Sequence, residues 1–146
     1  MDHKRGKYFW VVQIPGWILL IYLIYAQGIT AFSYEIGVSM GTQESAKSIT
    51  DIGAAFWYGF AFGDLVIYTF LFLGLTGHFK FRKWGRYLLA AALGITVYWP
   101  IVCLASLTVA RKAPEWNISN ETPYWIVLPI IMLWAAWGIF ILIKEE

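Results

Sequence analysis

Asp64 stands alone as an acid in a long apolar run. Ala54-Ala55-Phe56-Trp57-Tyr58-Gly59-Phe60-Ala61-Phe62-Gly63 precedes it, and Leu65-Val66-Ile67-Tyr68-Thr69-Phe70-Leu71-Phe72-Leu73 follows. An ionised carboxylate at the centre of a bilayer costs about 2.5–3.5 kcal/mol on insertion scales, so it is expected to be paired, protonated or turned toward an interior cavity. At helical spacing Trp57, Phe60 and Tyr68 share its face, with Ala61, Ile67 and Leu71 completing it. A carboxylate walled by rings suits an amphiphile carrying a cation or a hydroxyl, because ring faces attract the cation and the carboxylate fixes its orientation. The competing reading is structural: the acid clips helices together as a hydrogen-bond partner, and the rings face lipid or pack.

Other polar residues sit inside apolar runs. Thr96, Trp99, Cys103 and Ser106 follow one another at spacings of three, four and three, a polar seam on one helical face. Pro100 lacks an N–H and frees the carbonyl of Thr96, and Pro129 does the same for Trp125. Two kinked helices opposite a central carboxylate suggest a cavity, although proline is also frequent in membrane helices. Upstream, Gln27, Thr30 and Tyr34 share a face. Tyr34 or Glu35 could turn inward toward Asp64, and two carboxylates brought together would keep one protonated. A solvated Glu35 at the membrane surface is the alternative. Gly59 and Gly63 make a GxxxG pattern that lets another backbone approach closely. Because Gly63 adjoins Asp64, glycines and acid are expected to face the bundle together.

Several chemistries lack their residues. Cys103 is the single cysteine, so there is no disulfide framework, redox pair or thiolate metal site. His3 and His78 are the two histidines and fall near predicted membrane edges, leaving none within a span. No nucleophile–base pair, metal cluster or phosphate-cradling loop is present. The expectation is therefore no catalytic residue, no metal and no cofactor, with an isomerase acting on a lipid or sterol as the enzyme option.

The elements that must position these residues are membrane helices. Sixty per cent of the 146 residues are hydrophobic and 14% charged, with a mean hydropathy of +0.61. That exceeds what one small soluble core absorbs. Nine Trp and nine Tyr suit a bilayer, where such rings gather at headgroup level. A formal charge of +2 with no basic stripe argues against nucleic acid. Four apolar stretches, at about residues 10–32, 54–75, 87–109 and 124–143, each reach the length of about 20 residues that spans the hydrocarbon. Only helices satisfy their own backbone there. The expected fold is all-α: a single domain over residues 1–146, a four-transmembrane-helix bundle.

Basic residues orient it. Lys4, Arg5, Lys7, Lys80, Arg82, Lys83, Arg86 and Lys144 fall on one side, against Lys47, Arg111 and Lys112 on the other. The positive-inside rule then puts both termini and the 76–86 loop in the cytoplasm. The first outer loop, residues 33–53, is polar and is expected to carry a short interfacial helix across Glu44–Lys47, with Thr50 or Asp51 capping the second span. In the second outer loop Asn117-Ile118-Ser119 and Asn120-Glu121-Thr122 match the glycosylation pattern but lie close to the fourth span.

Taken together, these features resemble the emopamil-binding-protein-like, or EXPERA, superfamily of four-helix membrane proteins. The residues carrying the resemblance are Phe60-Ala61-Phe62-Gly63-Asp64-Leu65-Val66, the basic Lys80-Phe81-Arg82-Lys83-Trp84 turn, and the proline segments Tyr98-Trp99-Pro100-Ile101 and Val127-Leu128-Pro129-Ile130. That superfamily includes sterol isomerases and a sterol- and amine-binding receptor with a pocket opening toward lipid. The resemblance implies that Asp64 is the second-helix pocket acid, that Tyr34 or Glu35 stands near the first-helix acid, and that Trp99 and Trp134 are aromatic walls. The isomerase branch uses a histidine and paired carboxylates, which the spans here do not supply.

The expected function is an intramembrane pocket for a sterol-like, isoprenoid or amphiphilic amine ligand, anchored by Asp64 and lined by Tyr68, Trp57, Tyr34, Glu35, Thr96, Trp99 and Trp134. The alternative is a non-catalytic helical subunit, partnered by a second copy or by a larger membrane protein.

Overall fold

The computed structural model describes residues 8–118 and 120–144. The basic Lys4, Arg5 and Lys7, His3 and the acceptor Ser119 lie outside the described residues. The described chain is helical: α1 (Phe9–Leu23) passes through a π-helical turn (Ile24–Gly28) into α2 (Ile29–Phe32), followed by α3 (Tyr34–Ser39), α4 (Ala46–Phe79), α5 (Lys83–Ala110) and α6 (Thr122–Lys144). Four stretches are long and apolar enough to cross a membrane: Phe9–Phe32, Ala46–Phe79, Lys83–Ala110 and Thr122–Lys144.

Helices overrun the apolar stretches where backbone chemistry allows it. α4 begins eight residues before the expected span and continues through Phe79. Its first turn is set off by Thr50, whose φ of 68° and ψ of 162° are non-helical. The Thr50 hydroxyl accepts from the Gly53 N–H at 3.2 Å and so caps the continuous part of the helix. The expected interfacial helix at Glu44–Lys47 is thus the opening turn of α4, starting at Ala46. A helix the sequence did not announce, α3, follows the extended Ser33, whose hydroxyl accepts from Ile36 N–H.

The α4–α5 hairpin is the spine of the bundle, with α6 packed on α5 and α1 on α4. Small residues let its two backbones touch. A Cβ on Gly74 would meet the Leu89 backbone at 2.6 Å, and one on Gly77 would meet the Gly85 Cα at 2.6 Å. Carried along the pair, that register puts Asp64 level with Trp99. Near the hairpin turn the core is aliphatic: Val12, Leu71, Leu75, Leu89 and Leu93 are completely buried, with Ala135 from α6. Toward the other end it becomes aromatic, with Trp57, Cys103 and Leu128 buried and Tyr34, Trp99, Trp116 and Tyr124 packed around them.

Two polar contacts join α1 to its neighbours. Pro15 lies inside α1 and cannot donate to the Val11 carbonyl four residues earlier. Trp134 of α6 donates its indole N–H to that carbonyl at 3.0 Å. Gln13, 1% exposed, donates to the Leu75 carbonyl at 3.1 Å, lies 2.9 Å from His78 Nδ1, and accepts from the Trp17 indole at 3.0 Å. His78 is buried against Phe9, ring on ring at 5.0 Å. The expectation that no histidine lies within a spanning helix is corrected here: α4 runs past His78, and Gln13 supplies the polar partner that makes its burial tolerable.

Candidate ligand cavity

A cavity of about 370 Å³ opens among α1, α4, α5, α6 and the 41–44 loop. Its volume falls near the lower end of the roughly 300–1,000 Å³ of small-molecule sites. Leu19, Tyr22, Leu23 and Gln27 form one wall, and Pro123, Tyr124, Val127, Leu128 and Ile131 form the wall opposite. Trp57, Trp99 and Cys103 make the back. Pro100 and Pro129 each adjoin a lining residue, Trp99 and Leu128, within helices that continue unbroken through them. Gly41 (φ 70°), Thr42, Gln43, Glu44 and Asn120 form a polar mouth. Trp57 also borders a second, more apolar groove of about 520 Å³ toward the ends of α4 and α5, lined by Phe56, Ser106, Val109 and Trp116 among others.

Four buried side-chain polar atoms lack a hydrogen-bond partner among the described residues, on Asp64, Tyr68, Trp99 and Trp116. Asp64 is 2% exposed, and its Oδ2 has no hydrogen-bond partner. The Tyr68 hydroxyl and the Trp99 indole N–H are buried and equally unpartnered. Asp64 lies within electrostatic reach of both Tyr68 and Cys103. Each buried polar group left unpaired costs about 1–3 kcal/mol, and Trp99 carries one of them on the cavity lining itself.

The expected site residues separate into groups. Trp57 and Trp99 line the cavity. Asp64 and Tyr68 are buried but do not form part of the lining. Thr96 is buried, and its hydroxyl donates to the Ala92 carbonyl of its own helix at 2.8 Å, so it offers a ligand no free donor. The Tyr34 hydroxyl donates to the Glu44 carbonyl at 2.7 Å, and its ring packs edge-on to Tyr58. Burial first, and Glu44 second, push the Tyr34 phenol up to about 12. Glu35 is exposed in the first turn of α3 and does not join Asp64. Trp134 is committed to Val11 and is absent from the lining.

The glycine pattern requires a correction. A Cβ on Gly59 or Gly63 would meet nothing within 4 Å, and both residues are exposed. The glycines face away from the bundle while Asp64 faces into it. Successive helical residues point about 100° apart, so adjacency in sequence did not imply a shared face.

Sequence reasoning missed Glu44, Tyr22 and Tyr124 at the mouth. Glu44 and Tyr124 lie eighty residues apart and meet only through the fold. Above them the 111–121 loop is tied down. Arg111 Nε donates to Glu121 Oε2 at 2.6 Å, and the same guanidinium lies 5.0 Å from the Trp125 ring centre. Arg111 thereby holds the Glu121 carboxyl below its usual range. The Asn117 N–H reaches the Ser48 carbonyl at 2.7 Å. Asn120 Oδ1 accepts from the Thr122 N–H at the start of α6.

Among the described residues no three of His, Cys, Asp and Glu gather as a metal site. No protein-family model, curated protein or solved structure matches the chain.

Proposed function

We propose that this chain is a multi-pass membrane protein, both termini cytoplasmic, that holds a sterol-like, isoprenoid or amphiphilic amine ligand in its aromatic cavity. Asp64 is the deep polar anchor, met by a ligand group that reaches past Trp99. The observation that carries this reading is a 370 Å³ cavity whose lining includes the unpartnered Trp99 indole N–H and Cys103, with the unpartnered Asp64 in electrostatic reach of Cys103. A hydroxyl or ammonium there would satisfy groups that no protein partner satisfies. The positive-inside arrangement supports this orientation, in which the cavity mouth lies on the outer side. The resemblance to the emopamil-binding-protein-like superfamily is proposed on the same footing. It extends to the pocket and not to isomerase chemistry, since Glu35 stays exposed and His78 is engaged with Gln13.

Filling the space tests the reading. Cys103, 1% exposed, lines the cavity. Cys103→Trp is expected to reduce photolabelling by a sterol probe at least tenfold in reconstituted membranes. Val127→Trp, on the exposed side of α6 and also on the lining, provides a second blockade that disturbs the core less. Undiminished labelling of both variants would refute the proposal.

The subunit reading has one observation in its favour. The open strip at Gly59 and Gly63 is shaped for a neighbouring helix, which a second copy or a larger partner would supply. It predicts stoichiometric protein co-purification, and Gly63→Leu would abolish it.

A further inference from the structure

The mouth of the cavity combines one carboxylate with several aromatic rings. Glu44, Tyr22 and Tyr124 all line the cavity. Glu44, Tyr22 and Tyr34 all lie within electrostatic reach of Tyr124, so the four side chains form one cluster. Tyr34 braces this cluster through its bond to the Glu44 carbonyl. The Glu44 carboxylate itself has no ion pair or hydrogen bond among the described residues. Lys47, one turn further on, is exposed.

Some of the neighbouring polar groups are already engaged. Gln43 Nε2 donates to Gln27 Oε1 at 3.0 Å, Thr42 Oγ1 donates to the Gly37 carbonyl at 3.0 Å, and Asn120 Oδ1 accepts from Thr122. A primary ammonium brings three N–H donors and needs as many acceptors. Besides the carboxylate the mouth offers it the Gln43 amide oxygen and the Tyr22 and Tyr124 hydroxyls, so the rings, and not a lack of acceptors, single out the headgroup. An alkylated ammonium needs none; it is held by opposite charge and by ring faces, the chemistry of aromatic cages.

We infer that the mouth is a subsite for a quaternary ammonium headgroup, with Glu44 as counter-ion and Tyr22 and Tyr124 as ring walls, and that the attached apolar chain descends toward Trp99. This rests on the cavity reading above and adds a second polar end to its ligand: the quaternary ammonium stays at the mouth, the hydrocarbon passes Trp99, and a hydroxyl at the far end is the group that reaches Asp64. The subsite is separate from Asp64, which is not on the cavity lining.

The test uses three probes of one chain length, tetradecyltrimethylammonium, tetradecylamine and tetradecanol, with the full chain in neutral-lipid nanodiscs. Wild type is expected to prefer the trimethylammonium over the alcohol at least tenfold, and over the primary amine severalfold. Glu44→Gln and Tyr124→Leu each abolish the preference over the alcohol, leaving alcohol binding within twofold. Asp64→Asn retains that preference. A preference unchanged in Glu44→Gln, or lost in Asp64→Asn instead, overturns the subsite while leaving the cavity intact. Failure of all three probes to bind wild type overturns the cavity reading, and the subsite with it.

Discussion

Leucine at position 85 is expected to leave almost no folded protein. A Cβ there falls directly on the backbone of Gly77 and on the amide nitrogen of His78. Backbone atoms cannot rotate aside as a side chain does, so α4 and α5 must separate. Separation withdraws Leu71 and Leu75 from Leu89 and Leu93, the completely buried centre of the aliphatic core. Overpacking commonly costs about 1–3 kcal/mol, and losing the hairpin contact should take Gly85→Leu beyond that. Membrane yield and the thermal midpoint in a fixed detergent report the loss. Gly94→Ala is the control: a Cβ there meets nothing within 4 Å, and alanine is the better helix former by about 1 kcal/mol. A wild-type midpoint for Gly85→Leu would refute the close hairpin.

Asp64→Asn is expected to separate function from stability. The carboxylate has no hydrogen-bond partner in the fold, so its removal breaks no internal bond. It removes a buried carboxyl whose ionised form costs about 2.5–3.5 kcal/mol to insert, and the midpoint should stay level or rise. Binding of a sterol-like ligand should fall at least tenfold, because asparagine keeps the shape and loses the charge. The helix-clip alternative predicts the reverse: lower stability with binding unaffected. Measuring both quantities on one preparation decides between them.

The class of fold was legible because four apolar runs long enough to cross a bilayer leave few other solutions. That Trp57 and Tyr68 share a face with Asp64 followed from helical period, and the structure buries all three while Phe60 on the same face is half-buried. What escaped depended on partners distant in sequence. His78 looked like an edge residue until Gln13, sixty-five residues earlier, was placed against it. Trp134 read as a pocket wall because nothing in the fourth span signals that Pro15 leaves the Val11 carbonyl free. Thr96 belonged to a polar seam by spacing, yet its hydroxyl turned back to its own helix, as threonine commonly does in helices. Glu44 sat in a loop of unremarkable composition, and only the path through α3 and the turn at Gly41 brings it beside Tyr124. Helix ends were misjudged because hydropathy measures the hydrocarbon, whereas α4 continues past it to the Thr50 break.

Native mass spectrometry of the gently solubilised chain tests the central claim most directly. A roomy hollow beside unsatisfied polar atoms should leave the membrane occupied. The predicted result is a complex carrying one extra mass of a few hundred daltons per chain, lost on Asp64→Asn. A bare chain, or a chain whose only added mass is another protein, would contradict it.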